Sequence, residues 1–300
     1  MTTDGRCLKI VCLHGHPGNS EAMKIFVQHF QDRGVDAIAP DLRGYGNNKV
    51  SEPFTMQDHI DDLWNLLTDI SSKSQTGCQT DYLILGWSLG GIMAMELALK
   101  AVEAQRLQGE SSNAIALPNS PNLPNIVGLI LIATAAKPRS SLPRIPIWQY
   151  VNLLIAVALH RLLPRAFLNQ NWHINWFGKH SLIKYLVQQH TQTVYDQIST
   201  TGAKAYLQTS QYAQQALSQA LKQGYDRTRD LSNIKIPCLM LAATGDRHIT
   251  AAASAETANL LEDCEFICYA DTAHLLPWEI GDQLLADIDR WCHEKFSAKR

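Results

Sequence analysis

An α/β fold built on a mostly parallel sheet of about six strands is expected from three features of this 300-residue chain. Six short apolar runs are bounded by turn residues, helical patterns fill the spaces between them, and one basic, helical stretch breaks the alternation. The runs are LKIVCL ending at Leu13, VDAIAP around Ile38, DYLILG ending at Gly86, VGLILIA from Val127, CLMLAA from Cys238 and CEFICYA from Cys264. Their nearly continuous hydrophobicity suits strands covered on both faces by helices.

The helices follow in order. One opens after Asn19, and a second at Thr55, where Asp58 three residues on gives a capping-box pattern. A third follows Ser88, and the last runs from Glu279 to Phe296. Glu103 to Asn125, rich in Gln, Ser, Asn and Pro, reads as a long polar loop. Residues 137–230 read as a helical cap inserted into a core of residues 1–136 and 231–300, with helical runs at Ile145–Leu159, Ser181–Ile198 and Gly202–Leu221. The first of these runs carries no formal charge, yet at fifteen residues it is short of the ~20 that a membrane span needs. It suits a lid helix over an apolar pocket, or packing within the cap.

Charge is unevenly placed. From Lys137 to Asp230 there are eleven Lys and Arg against three acids, a net +8, in a chain whose total is −2. That asymmetry points to an anionic partner such as an acidic acyl carrier, an anionic acyl group or a membrane surface. The basic residues are spread through amphipathic helices, so no nucleic-acid partner is expected. Seven cysteines, lying mostly in strand-like runs, suit reduced core thiols, and no metal site or cofactor is implied. The N-terminal MTTDGRCLKI has no secretory pattern, which makes the cytoplasm the expected compartment.

The chemistry concentrates at DYLILGWSLGG. A serine with glycines two positions to either side, set between a strand and a helix, fits a nucleophile elbow with Ser88 at its tip. A serine hydroxyl needs a base, and late histidines and acids are available: His248 and His274, and Asp246, Asp263 and Asp271.

With HGHPG (His14 to Gly18), PDLRGYG (Pro40 to Gly46), GWSLGG, ATGDRHIT (Ala243 to Thr250) and DTAHLLPWE (Asp271 to Glu279), the chain resembles the α/β-hydrolase superfamily over nearly its whole length. The resemblance implies Ser88 as nucleophile, Asp246 as acid and His274 as base, with the backbone amides of His16 and Leu89 as oxyanion donors. Trp87, beside the nucleophile, is a candidate substrate contact. His14, Arg43 and Tyr45 read as loop-maintaining residues. Asn47 and Asn48 stand where a serine often follows the RGYG turn, and Ala273 stands where a glycine often precedes the histidine.

Epoxide hydrolases and haloalkane dehalogenases share the HGxP and PDLRGYG pattern but use a carboxylate where this chain has Ser88. Acyl transfer on a small-molecule ester or thioester is therefore the expected reaction, through an acyl-enzyme and with an apolar acyl group in the cap. Proline iminopeptidases hold an amino terminus with acidic cap residues, whereas this cap has no glutamate. GWSLGG also resembles the elbow of the esterases that act on pimeloyl groups borne by a carrier protein. Alternatives with the same residues are a C–C bond hydrolase of β-diketones and a noncatalytic ligand receptor.

Overall fold

The computed structural model describes residues 2–3, 6–73, 79–111, 123–138, 145–168 and 171–296. Its sheet has seven strands: β1 (Thr2–Thr3), β2 (Arg6–Leu13), β3 (Asp36–Ile38), β4 (Gln79–Trp87), β5 (Asn125–Ile132), β6 (Cys238–Ala243) and β7 (Cys264–Tyr269). Six of them are parallel and match the six apolar runs. β1 adds a two-residue antiparallel pairing to β2 at the same edge as β3. The spatial order runs β2-β4-β5-β6-β7, so every neighbouring parallel pair is joined by a crossover.

Helices cover both faces. α1 (Lys24–Gln31) and α11 (Gly281–Phe296) pack on one face, where Phe26, Phe30, Leu284, Ile288 and Trp291 join the alternate residues of β2 and β4. α2 (Met56–Ser72) and α3 (Leu89–Ser111) cover the other with Leu63, Leu67, Met93 and Leu97. α10 (Ala251–Leu260) contributes Ala258 to this second layer. Opposite faces of each strand feed the two cores because successive side chains alternate: Ile10 and Cys12 enter one, Val11 and Leu13 the other.

The starts of these helices are chemically fixed. The Asn19 side chain accepts from the Ala22 amide at 3.2 Å, opening the turn that leads into α1. Asp58 accepts from both the amide and the hydroxyl of Thr55 at 2.7 Å, the capping box expected there. α3 is longer than its sequence suggested. It continues through the Glu103–Ser111 part of the polar excursion, because Glu103, Ala104, Gln105, Arg106 and Leu107 are strong helix formers. Of the rest of that excursion, 112–122 lies outside the described residues, and its last residue, Asn125, opens β5.

Between β5 and β6 the described residues form helices and turns without a strand: α4 (Ile147–Leu162), α5 (Arg165–Leu168), α6 (Trp172–Trp176), α7 (Gln192–Gln197), α8 (Ala203–Gln208) and α9 (Gln211–Lys222). Two of the three expected long helices are broken, each by a tertiary hydrogen bond. Within Ser181–Ile198 the amides of Gln188 and Gln189 both donate to the Glu279 carboxylate at 2.7 Å, and a helix begins only after Thr191 caps Val194. Within Gly202–Leu221 the Ser210 amide donates to Gly44 O at 2.8 Å, and its hydroxyl restarts the chain as α9.

The segment that leaves this helical region is tied to the core through Arg227. Its guanidinium donates to both oxygens of the buried Glu96 on α3, at 2.7 and 3.1 Å, and Tyr225 adds a third bond to the same carboxylate. The cysteines depart from the reading as reduced thiols at one position. Cys12, Cys238, Cys264, Cys268 and Cys292 are free, whereas Cys7 is disulfide-bonded, and Cys78 lies outside the described residues.

Candidate active site

The strand register decides where the chemistry can be. Leu13 lies opposite Gly86, Trp87 opposite Ile132, and Ala243 opposite Tyr269, so the chain leaves β2, β4, β5, β6 and β7 along one edge of the sheet. His16, Ser88, Thr134, Asp246 and His274 all follow those strand ends. In open α/β sheets this C-terminal edge is where ligands gather.

Ser88 sits at the turn with φ +56°, a left-handed conformation that non-glycine residues seldom adopt. The turn is fixed from both sides: the Ser88 amide donates to Ile132 O at 2.8 Å, and Thr134 Oγ1 donates to Ser88 O at 2.9 Å. The flanking glycines are required by proximity. A Cβ on Gly86 would strike the Gly90 carbonyl, and one on Gly90 would strike the Leu13 carbonyl.

Three of the sequence-expected residues meet in one line. His274 Nε2 is 3.0 Å from Ser88 Oγ, and His274 Nδ1 is 2.7 Å from Asp246 Oδ2. With the carboxylate accepting at Nδ1–H, Nε2 is free to accept the serine proton. Asp246 is 4 % exposed and His274 7 %, so the pair is shielded from water. The other carboxylate oxygen accepts from the amides of His248 and Ile249 at 2.7 and 2.9 Å, which aims the group. The alternative acids lie elsewhere: Asp263 pairs with Lys295 at 2.7 Å, and Asp271 follows β7 in a left-handed turn.

The remaining histidines divide by role. His14 Nε2 accepts from the Leu42 amide at 3.1 Å, so its Nδ1–H donates to Gly15 O at 2.8 Å. It is a neutral strut with both ring nitrogens used. His16 Nδ1 lies 2.8 Å from Tyr45 OH, and Asp41 accepts from the amides of Ser20 and Asn47 at 2.6 and 2.8 Å. The PDLRGYG loop therefore holds the HGHPG loop, as its sequence suggested, and Asn47 and Asn48 take part by bonding Asp41. Burial lowers both His16 and His248 to about 4, so both rings are neutral beside the site. The His248 ring lies 5.2 Å from that of His274 without joining the hydrogen-bonded line.

Leu89 is the first residue of α3, where an amide has no partner within the helix. The His16 amide likewise donates to no other group among the described residues. Two such amides at a helix start and a strand end can receive negative charge. Among the described residues no group of three or more His, Cys, Asp or Glu is placed to hold a metal ion.

A family model described as the alpha/beta hydrolase family matches residues 10–287. The chain belongs to the alpha/beta hydrolase family. Among solved structures, an esterase from Thermogutta terrifontis superimposes with a TM-score of 0.65 at 20% identity, covering 97% of this chain and 91% of that one. MenH from S. aureus gives 0.60 at 19% identity over 98% and 96%. Both likenesses speak for the fold of this hydrolase. A local match, 33% identical over 82 residues, joins it to protein phosphatase methylesterase 1 of Candida albicans, spanning 27% of this chain and 22% of that relative.

Two residues of this hydrolase have roles that local sequence did not assign. Trp87, expected to touch substrate, is only 5 % exposed, and its indole N–H donates to His274 O at 3.1 Å. The geometry makes it a prop for the histidine loop, packed edge-on against Trp278. Glu279, which the sequence offers as the end of a motif and the start of the last helix, instead lies ahead of that helix, which opens at Gly281. Besides the amides of Gln188 and Gln189, Glu279 accepts from the Ala273 amide at 2.8 Å, and so joins the helical region between β5 and β6 to the residue before His274. A second bond, Leu275 N–H to Leu186 O at 3.0 Å, runs alongside. The available signal was a lone acid in the apolar run LLPWE.

Proposed function

We propose that this hydrolase is a serine esterase, cleaving carboxylic esters or thioesters through an acyl-enzyme with an apolar acyl group. The observation that carries the reading is the continuous line from Ser88 Oγ through His274 to Asp246, at 3.0 and 2.7 Å.

In this reaction Ser88 Oγ attacks the carbonyl carbon as its proton passes to His274 Nε2. Asp246 holds the Nδ1 tautomer and stabilises the imidazolium that forms. The carbonyl oxygen, now negative, is met by the amides of His16 and Leu89. His274 returns its proton to the departing alcohol or thiol, leaving Ser88 acylated. Water then attacks the acyl carbon with His274 as base, and the carboxylic acid leaves. No metal or cofactor is called on. Neighbours described as an esterase and a methylesterase support an ester as the substrate class.

The test is hydrolysis of a p-nitrophenyl ester series, acetate through palmitate, by the wild type and Ser88→Ala. Turnover with an optimum at one chain length, reduced in the variant by about 10²–10⁴-fold or more, is expected. Equal turnover by both proteins at every length would overturn the assignment.

A further inference from the structure

We propose that the outward face of α4, together with Trp176, is a docking site for an anionic lipid surface. It does not rest on the esterase reading. α4 is apolar on both sides: Ala156, Leu153 and Val157 pack inward beside two polar groups, while a second row of apolar side chains faces solvent. Gln149 is buried, and the His160 side chain is buried between His173 Nε2 and Asp196 Oδ1, each 2.9 Å away. Ile147, Leu154 and Leu162 are 81 %, 68 % and 79 % exposed, and Val151 completes a stripe at i, i+4, i+7 and i+15 along one side. Trp148 flanks it in sequence, and Trp176, on the α6 that packs against α4, is 74 % exposed.

This orientation is held, not free to roll. The two bonds of His160 and that from Asn152 to His180 O at 3.1 Å fix the inward side of the helix. An exposed apolar stripe of this size is unusual on a soluble protein and marks an interaction surface. No helix among the described residues is long and apolar enough to cross a membrane, so the geometry is that of a helix lying on a surface.

Charge selects the occupant. Ser111 to Tyr195 contains seven Lys and Arg and no Asp or Glu. Arg161 is exposed near the end of α4, Lys179 is exposed on the adjoining turn, and Lys184 Nζ lies 5.8 Å from the Trp148 ring centre. Two copies of such a face would bring like charges together. An acidic protein would answer the cations but not a stripe of exposed Ile and Leu side chains. A bilayer with anionic headgroups answers both, taking the aromatic rings at the headgroup level and the aliphatic chains beneath.

The experiment is co-sedimentation of the full chain with vesicles of phosphatidylcholine containing phosphatidylglycerol, against pure phosphatidylcholine vesicles, at low and high salt. Binding to the anionic vesicles that weakens with salt is expected. Ile147→Ser with Leu154→Ser should weaken it by about tenfold or more. Lys179→Gln should weaken it by about fivefold. Because the substituted side chains are exposed, far-UV circular dichroism and Tm should be unchanged, which reports that the variants fold. Absence of anionic-vesicle binding at low salt would overturn the proposal. So would binding that the Ile147/Leu154 variant retains in full. Self-association, or capture of an acidic acyl-carrier protein, without vesicle binding would overturn it in favour of a protein partner.

Discussion

At the residue scale, Gly90 shows how closely the elbow is built. A Cβ at this position meets the Leu13 carbonyl oxygen, a backbone atom that cannot yield without moving β2. Gly90→Ala is expected to cost about 1–3 kcal/mol or more in denaturant unfolding and to abolish turnover. Gly109, late in α3 with nothing near it, is the control: Gly109→Ala should gain about 0.5–1 kcal/mol. Equal effects at both positions would contradict the steric explanation. Ser88 was legible in sequence because its constraint is local, glycines around a turn, whereas only the family resemblance singles out Asp246 and His274 among the late acids and histidines, since Asp271 also follows a strand. Trp87 was not legible. Its neighbour in sequence is Ser88, but its partner is a carbonyl 187 positions away.

At the scale of elements, six parallel strands could be read directly, since each is a short apolar run needing no knowledge of the others. The helices between β5 and β6 could not be bounded in the same way. Gln188 and Gln189 donate to an acid 91 and 90 positions away, a competition with helix formation that no local pattern carries. The same contact makes Glu279 a positioning residue. Glu279→Gln should lower kcat on a soluble ester about tenfold, with KM nearly unchanged, because loosening the Ala273 amide displaces His274 rather than removing a substrate contact. Its stability loss should be about 1–3 kcal/mol. A variant with wild-type kcat but the same stability loss would show that Glu279 only holds the helices between β5 and β6 in place.

At the scale of the whole molecule, buried neutral histidines set a pH limit. Burial lowers His14, His16, His59 and His248 to about 4, against about 6.5 in an unfolded chain. Between those values the unfolded state binds more protons, so stability is complete above about pH 6.5 and falls as pH drops toward 4. Each histidine contributes about 1.4 kcal/mol per pH unit in that window. Thermal melting from pH 7 to pH 4 should show a steep fall in Tm, and replacing His59 with leucine should make it shallower. A flat Tm over this range would contradict the assignment of these rings as neutral.

The central claim is that Ser88 becomes covalently acylated. An organophosphate ester that phosphorylates activated serines should add one group to the wild type, seen in the intact mass and mapped to the peptide holding Ser88, with turnover lost in step. Ser88→Ala should remain unlabelled. Labelling elsewhere, or full labelling of the variant, would contradict the claim.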